Sequence, residues 1–125
     1  MVNDSTVPEE VKVYLRKVNS VPRLSREQLA ELLGQLRDLD NQAELANKRL
    51  VEAYLYLVVG VAEKHSGSGV PALDLLQEGN VGLLRAIRTF SGKSDAFEVH
   101  ATACIERAVL ELIEELRPPS ANNDV

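Results

Sequence analysis

Leu73-Asp74-Leu75-Leu76-Gln77-Glu78-Gly79-Asn80-Val81-Gly82-Leu83-Leu84-Arg85-Ala86 is the stretch whose reading decides the fold. At helical period Leu75, Leu76, Leu83, Ala86 and Ile87 recur on one side, while Asp74, Gln77, Glu78 and Arg85 return together on another. The spacing predicts an amphipathic helix with one polar face. Glycine inside a helix costs roughly 1 kcal/mol against alanine, so Gly79 and Gly82 mark a place where another helix or a partner comes close to the backbone.

Working outward, Ser66-Gly67-Ser68-Gly69-Val70-Pro71 is a loop that ends with proline at the start of this helix, which is expected to run to about Phe90. Before the loop, Leu50, Ala53, Tyr54, Leu57, Val58 and Val61, widened by Leu55 and Val59, predict one long central helix from about Gln42 to His65. Tyr54 and Tyr56 share no helix face, which puts one in the core and the other at the surface. Asp38-Leu39-Asp40-Asn41 is a turn, with Asn41 and Glu44 as a capping box.

Earlier still, Val11, Tyr14, Leu15 and Val18 predict a short helix after Pro8, ending near Asn19. Pro22 separates it from a second helix capped by Ser25 and Gln28, with Leu29, Leu32, Leu33 and Leu36 as its stripe. After Ser91-Gly92-Lys93-Ser94, a turn, Asp95 and Glu98 suggest a third capping box for a final helix. Val99, Ile105, Ala108, Val109, Leu112, Ile113 and Leu116 are its expected buried stripe, and Pro118-Pro119 stop it. Gly92-Lys93-Ser94 is no phosphate loop, since the earlier glycine and the preceding strand of that motif are missing. The expected fold is all-α, a compact bundle of about five helices, with residues 8–117 as one domain, a frayed start over 1–7 and a flexible tail over 118–125.

With 125 residues the chain has the size of a single domain, and 45% hydrophobic against 26% charged residues is a globular balance. No run of about 18 apolar residues could cross a membrane, and the N-terminus lacks the regions of a secretory signal, so the expected location is the cytoplasm. Cys104 is the single cysteine, which excludes an internal disulfide and is read as a small core residue. Neither His65 nor His100 belongs to a zinc-spaced cluster, and no nucleophile with a base can be named, so neither metal, cofactor nor enzymatic activity is expected. The net charge of -5 is the wrong sign for a chain that grips phosphates with its whole surface.

Asp74 to Ala86 resembles the core-binding helix of the bacterial sigma-70 factors, in region 2 of that family. The stretch from Leu50 to Val59 is similar to the preceding family motif, although Tyr54 and Tyr56 stand where Asn and Arg are usual. Tyr14-Leu15-Arg16 followed by Pro22-Arg23-Leu24-Ser25 matches the short segment ahead of it. The resemblance implies that Asp74, Gln77, Glu78, Asn80, Leu84 and Arg85 bind core RNA polymerase, on the coiled-coil hairpin of its largest subunit. It also implies an antagonist protein of the anti-sigma type as a further partner.

The last helix departs from the family pattern. His100 stands where a Tyr is usual, Ala103 and Cys104 occupy the positions of a paired Trp, Arg107 replaces a Gln and Leu110 a Thr. Glu106 and Glu111 replace basic residues. Each base stacked on an aromatic ring contributes about 1 to 3 kcal/mol, and a chain without Trp lacks the two principal stacks. From Asp95 to Arg117 six acids face two arginines, a balance of -4. Promoter melting and recognition of the -10 element are therefore expected to be weakened or lost, with Lys93, His100 and Arg107 as the remaining DNA-contact candidates. Two alternatives stand beside a polymerase-binding regulator. One is a working divergent sigma factor or a fragment of one, a reading weakened, unless more sequence was removed, because these residues include no helix-turn-helix of the kind the family uses; the other is an interaction domain that no longer binds polymerase.

Overall fold

The computed structural model describes residues 8–37 and 41–117. The expected frayed start, turn residues 38–40, the Asn41 side chain of the expected cap and the tail lie outside the described residues. The described chain forms α1 (Glu9–Ser20), α2 (Arg26–Gln35), α3 (Asn41–Ala53), α4 (Leu55–Lys64), α5 (Ala72–Thr89) and α6 (Phe97–Glu115), with a single 3-10 turn over Ser94–Ala96 before α6. The all-α expectation holds, and among the described residues no strand forms.

The centre of the bundle is the packing of α5 on α6, with α4 lying against both. Phe97, Leu50, Leu75, Leu83, Ile105, Val58 and Val109 are its largest fully buried side chains. Phe97 is held edge-on between two rings, Tyr54 at 5.1 Å and Phe90 at 5.2 Å between centroids, a preferred arrangement for aromatic quadrupoles. Around this centre α1 lays Val11, Tyr14, Leu15 and Val18 on the core, and Lys17 reaches Glu52 of α3 at 3.1 Å. The capping box of α2 forms as expected: the Gln28 N–H donates to Ser25 Oγ at 3.0 Å, and the Ser25 N–H donates to Gln28 Oε1 at 2.8 Å.

The glycines of α5 are explained by its neighbours. A Cβ on Gly79 would lie 2.8 Å from Val58 Cγ1 of α4, and one on Gly82 would lie 2.7 Å from the Cys104 carbonyl oxygen and 2.8 Å from the Ile105 Cα of α6. The close approach inferred from the sequence is an internal one, between helices of the same domain.

Three expectations need correction. The long central helix is divided at Tyr54, whose backbone (φ -106°, ψ 12°) leaves the helical basin and whose carbonyl accepts from the Leu57 N–H at 3.0 Å in a tightened turn. The break lets the Tyr54 ring, only 7% exposed, turn in against Phe97. The Asp95 and Glu98 capping box does not form: Asp95 sits inside the 3-10 turn, Ala96 occupies the cap position without a side-chain bond, and the Glu98 carboxylate instead accepts from the Tyr56 hydroxyl. Finally, α6 buries Phe97, Ala101, Ile105, Ala108 and Val109, so Val99, 75% exposed, and Leu116 lie outside the core that they were expected to join.

Candidate functional site

At about 100° per residue, Leu84, Gln77, Val81, Asp74, Arg85 and Glu78 share an arc of about 120° on α5, with Gly79 on the far side and Gly82 at the boundary next to Glu78. The glycines face inward because α4 and α6 press there, and this fixes the arc outward. Gln77 and Arg85 are exposed, and Asp74 and Glu78 are half-buried. Val81 and Leu84, 43% and 37% exposed, add an apolar strip along the same side. Among the described residues, the side chains of Asp74, Gln77, Glu78 and Arg85 make no hydrogen bond or ion pair. The face therefore presents unspent donors and acceptors around a small apolar centre, and it can exchange water for a partner without breaking internal bonds.

Asn80 stands apart from this face. It lies at the edge of the arc, its Nδ2 is 3.5 Å from the Tyr14 hydroxyl of α1, and its Oδ1 is buried with no partner among the described residues. Its geometry links α5 to α1 as much as it offers a contact outward.

The three DNA-contact candidates are not gathered into one positive patch. Lys93 is exposed before the 3-10 turn, and Arg107 is exposed on α6. His100 is half-buried: its Nε2 lies 3.1 Å from Thr89 Oγ1 and 3.7 Å from Cys104 Sγ, and its ring leans on Phe90 with centroids 5.5 Å apart. It ties α6 to the end of α5. Cys104 is likewise half-buried and packs against the core.

Two clusters on α6 were not found from the sequence. In the first, Arg23 lies 3.4 Å over the Tyr56 ring while the Tyr56 hydroxyl donates to Glu98. Burial, then the bonded Glu98, pushes the Tyr56 phenol well above its ordinary range, so it stays a donor. In the second, Glu106 Oε2 accepts from Lys64 Nζ at 2.8 Å and lies 3.1 Å from His65 Nε2, while its Oε1 is buried without a partner among the described residues. The usable signal was the exchange of residue type, with Tyr56 and Glu106 standing in positions where the resembled family is basic.

Burial pushes the Glu106 carboxyl up, but the Lys64 and His65 hydrogen bonds outweigh it and hold the group below its ordinary value of 4.5. A lowered carboxylate stabilises the fold above the ordinary value, and this contribution is lost as pH falls through the lowered one. Glu106→Gln is therefore expected to be less stable than the wild type at neutral pH, with the difference shrinking on acidification below 4.5. Urea denaturation of both proteins across that range checks it, and a difference that is constant with pH would contradict it.

The sigma-70 region 2 family model matches residues 50–117. The RNA polymerase sigma factor SigA of Clostridium acetobutylicum is 37% identical over 119 residues, covering 90% of this chain and 31% of that protein. SigA of a Bacillus species is 36% identical over 110 residues, covering 87% and 28% respectively. SigA of Lactococcus lactis subsp. cremoris is 34% identical over 116 residues, covering 92% and 32%. The chain spans about a third of the length of these curated relatives. Among the described residues no helix is long and apolar enough to cross a membrane. With the matched span running from the end of α3 through α6 and including the whole of α5, the chain belongs to the sigma-70 region 2 family.

Proposed function

We propose that this domain binds core RNA polymerase in the cytoplasm through the outward arc of α5, with the coiled-coil hairpin of the largest subunit as the docking partner. Asp74, Gln77, Glu78 and Arg85 form the polar contacts, Val81 and Leu84 the apolar centre, and Asn80 the edge beside α1. The observation that carries this reading is that four polar side chains on one exposed arc have no internal partner among the described residues, in the helix most similar to the family's core-binding helix. The domain acts in transcription initiation or its regulation.

Promoter opening is reduced in this reading. From Phe97 to Glu115, α6 carries Glu98, Glu106, Glu111, Glu114 and Glu115 against Arg107 alone. Phosphate is repelled, and Ala103 and Cys104 offer no rings to unstacked bases. Loss of two stacks corresponds to at least about 2 kcal/mol, or roughly thirtyfold in affinity. A -10 single strand is therefore expected to bind at least that much more weakly than it binds a family member with the paired Trp, as read by fluorescence anisotropy.

The exposed Lys93 and Arg107 favour a second reading, a divergent sigma factor or fragment that still contacts promoter DNA. Strand affinity equal to that of the Trp-bearing relative would select it. Absence of any polymerase binding would instead select an interaction domain with another partner.

A further inference from the structure

A groove of about 780 Å³ opens between α4 and α6, on the side of that helix pair away from α5. Leu57, Gly60 and Val61 line one wall, and Val99, Thr102 and Ala103 the other. Val99 is the most exposed large apolar residue of the described chain, and Leu110 continues its stripe along α6. So α6 is apolar on two sides: one buries Phe97, Ala101 and Ile105, while the other faces this groove. An exposed apolar strip of this kind is a recognised mark of a binding surface.

Gly60 sharpens the inference. It sits in the middle of α4, where glycine weakens a helix. Unlike Gly79 and Gly82, it has no atom within 4 Å of the place a Cβ would occupy, and its φ is not positive. Nothing among the described residues accounts for a glycine there. Its missing side chain leaves the groove floor open to a close-lying guest.

The charges choose the guest. Glu98 and Glu106 stand in the lining against Lys64, whose ammonium is already held by Glu106 at 2.8 Å. Further along α6, Glu114 lies on the side of Leu110, with Arg107 about two turns before it, while Glu111 and Glu115 turn away from the groove. An apolar floor with an acidic rim suits neither a phosphate backbone nor a second copy of this acidic chain, and it complements a helix with an apolar stripe and basic flanks. We propose that the groove between α4 and α6 docks an amphipathic, Lys/Arg-flanked helix of a protein partner. This proposal does not rest on polymerase docking, which uses the opposite face of the bundle.

The probe is a synthetic Leu/Lys amphipathic helix of about four turns, titrated by fluorescence anisotropy against the whole chain, with Ser/Lys and Leu/Glu helices as controls. Wild type is expected to bind the Leu/Lys helix at least about tenfold more tightly than either control. Gly60→Leu, which fills open space and should leave folding intact, is expected to weaken binding about tenfold. Val99→Glu adds an attractive charge while removing apolar surface, so weakening by it separates groove docking from simple charge attraction. The proposal is overturned if Val99→Glu tightens the complex or Gly60→Leu leaves it unchanged. It is also overturned if sedimentation shows a dimer that Gly60→Leu dissociates, or if a DNA single strand binds and is displaced by that substitution.

Discussion

Gly82→Leu is expected to remove about 3 kcal/mol or more of stability, seen as a lower urea midpoint with an unchanged slope. The reason is geometric. The first atom of the new side chain would meet the Cys104 carbonyl at 2.7 Å and the Ile105 Cα at 2.8 Å, and backbone atoms of a helix cannot swing aside as a rotamer can. To fit it, α5 and α6 must separate, which opens the packing around Leu83, Ile105 and Val109, all fully buried. A domain of this size has only about 5 to 15 kcal/mol in total, so the loss is a large fraction. Gly79→Ala should be milder, because its nearest contact is the Val58 Cγ1 methyl. Gly60→Ala should raise stability by about 0.5 to 1 kcal/mol, since the space is open and the helix gains a better former. Destabilisation by Gly60→Ala as large as that by Gly82→Leu would contradict the packing described for α5 and α6.

This contrast also marks how far the sequence could be read. Gly79 and Gly82 announced a close neighbour because they violate helix propensity inside a clear apolar stripe, and both signals are local. Tyr54 gave no such notice: no glycine or proline stands at the break, the nearest being Gly60 six residues on, and the contact that draws the ring inward comes from Phe97, far along the chain. The Asp95 and Glu98 pair had the right spacing for a cap, yet Tyr56 from α4 claims the Glu98 carboxylate and the 3-10 turn shifts the helix start to Phe97. Val99 is apolar, and only the helix phase set by Phe97, Ala101 and Ile105 places it on the exposed side.

The same division runs through the candidate site. The arc of Asp74, Gln77, Glu78 and Arg85 follows from helical period alone, so it was legible. Asn80 was grouped with them, and its inward pull depends on Tyr14 of α1. The Glu106 cluster joins α6 to Lys64 and His65, separated by 42 and 41 residues, and no local pattern specifies such a meeting.

Charge reversal on α5 should have its largest effect on binding. Glu78 and Arg85 have no internal ion pair among the described residues, so reversing either leaves the fold without a broken bridge. At a docked interface the same change sets a like charge against the partner and strands a polar group, which costs about 2 kcal/mol or more when the position is central. Glu31→Lys on α2 changes charge equally on an exposed site away from the arc, and it should cost little.

The most direct measurement is an affinity titration of purified core polymerase with wild type, Glu78→Lys, Arg85→Glu and Glu31→Lys, with the urea midpoint of each recorded alongside. The expected result is nanomolar-to-micromolar binding by wild type and Glu31→Lys, and at least about thirtyfold weaker binding by the two α5 reversals at unchanged midpoints. Equal affinity for all four proteins would contradict docking through this face.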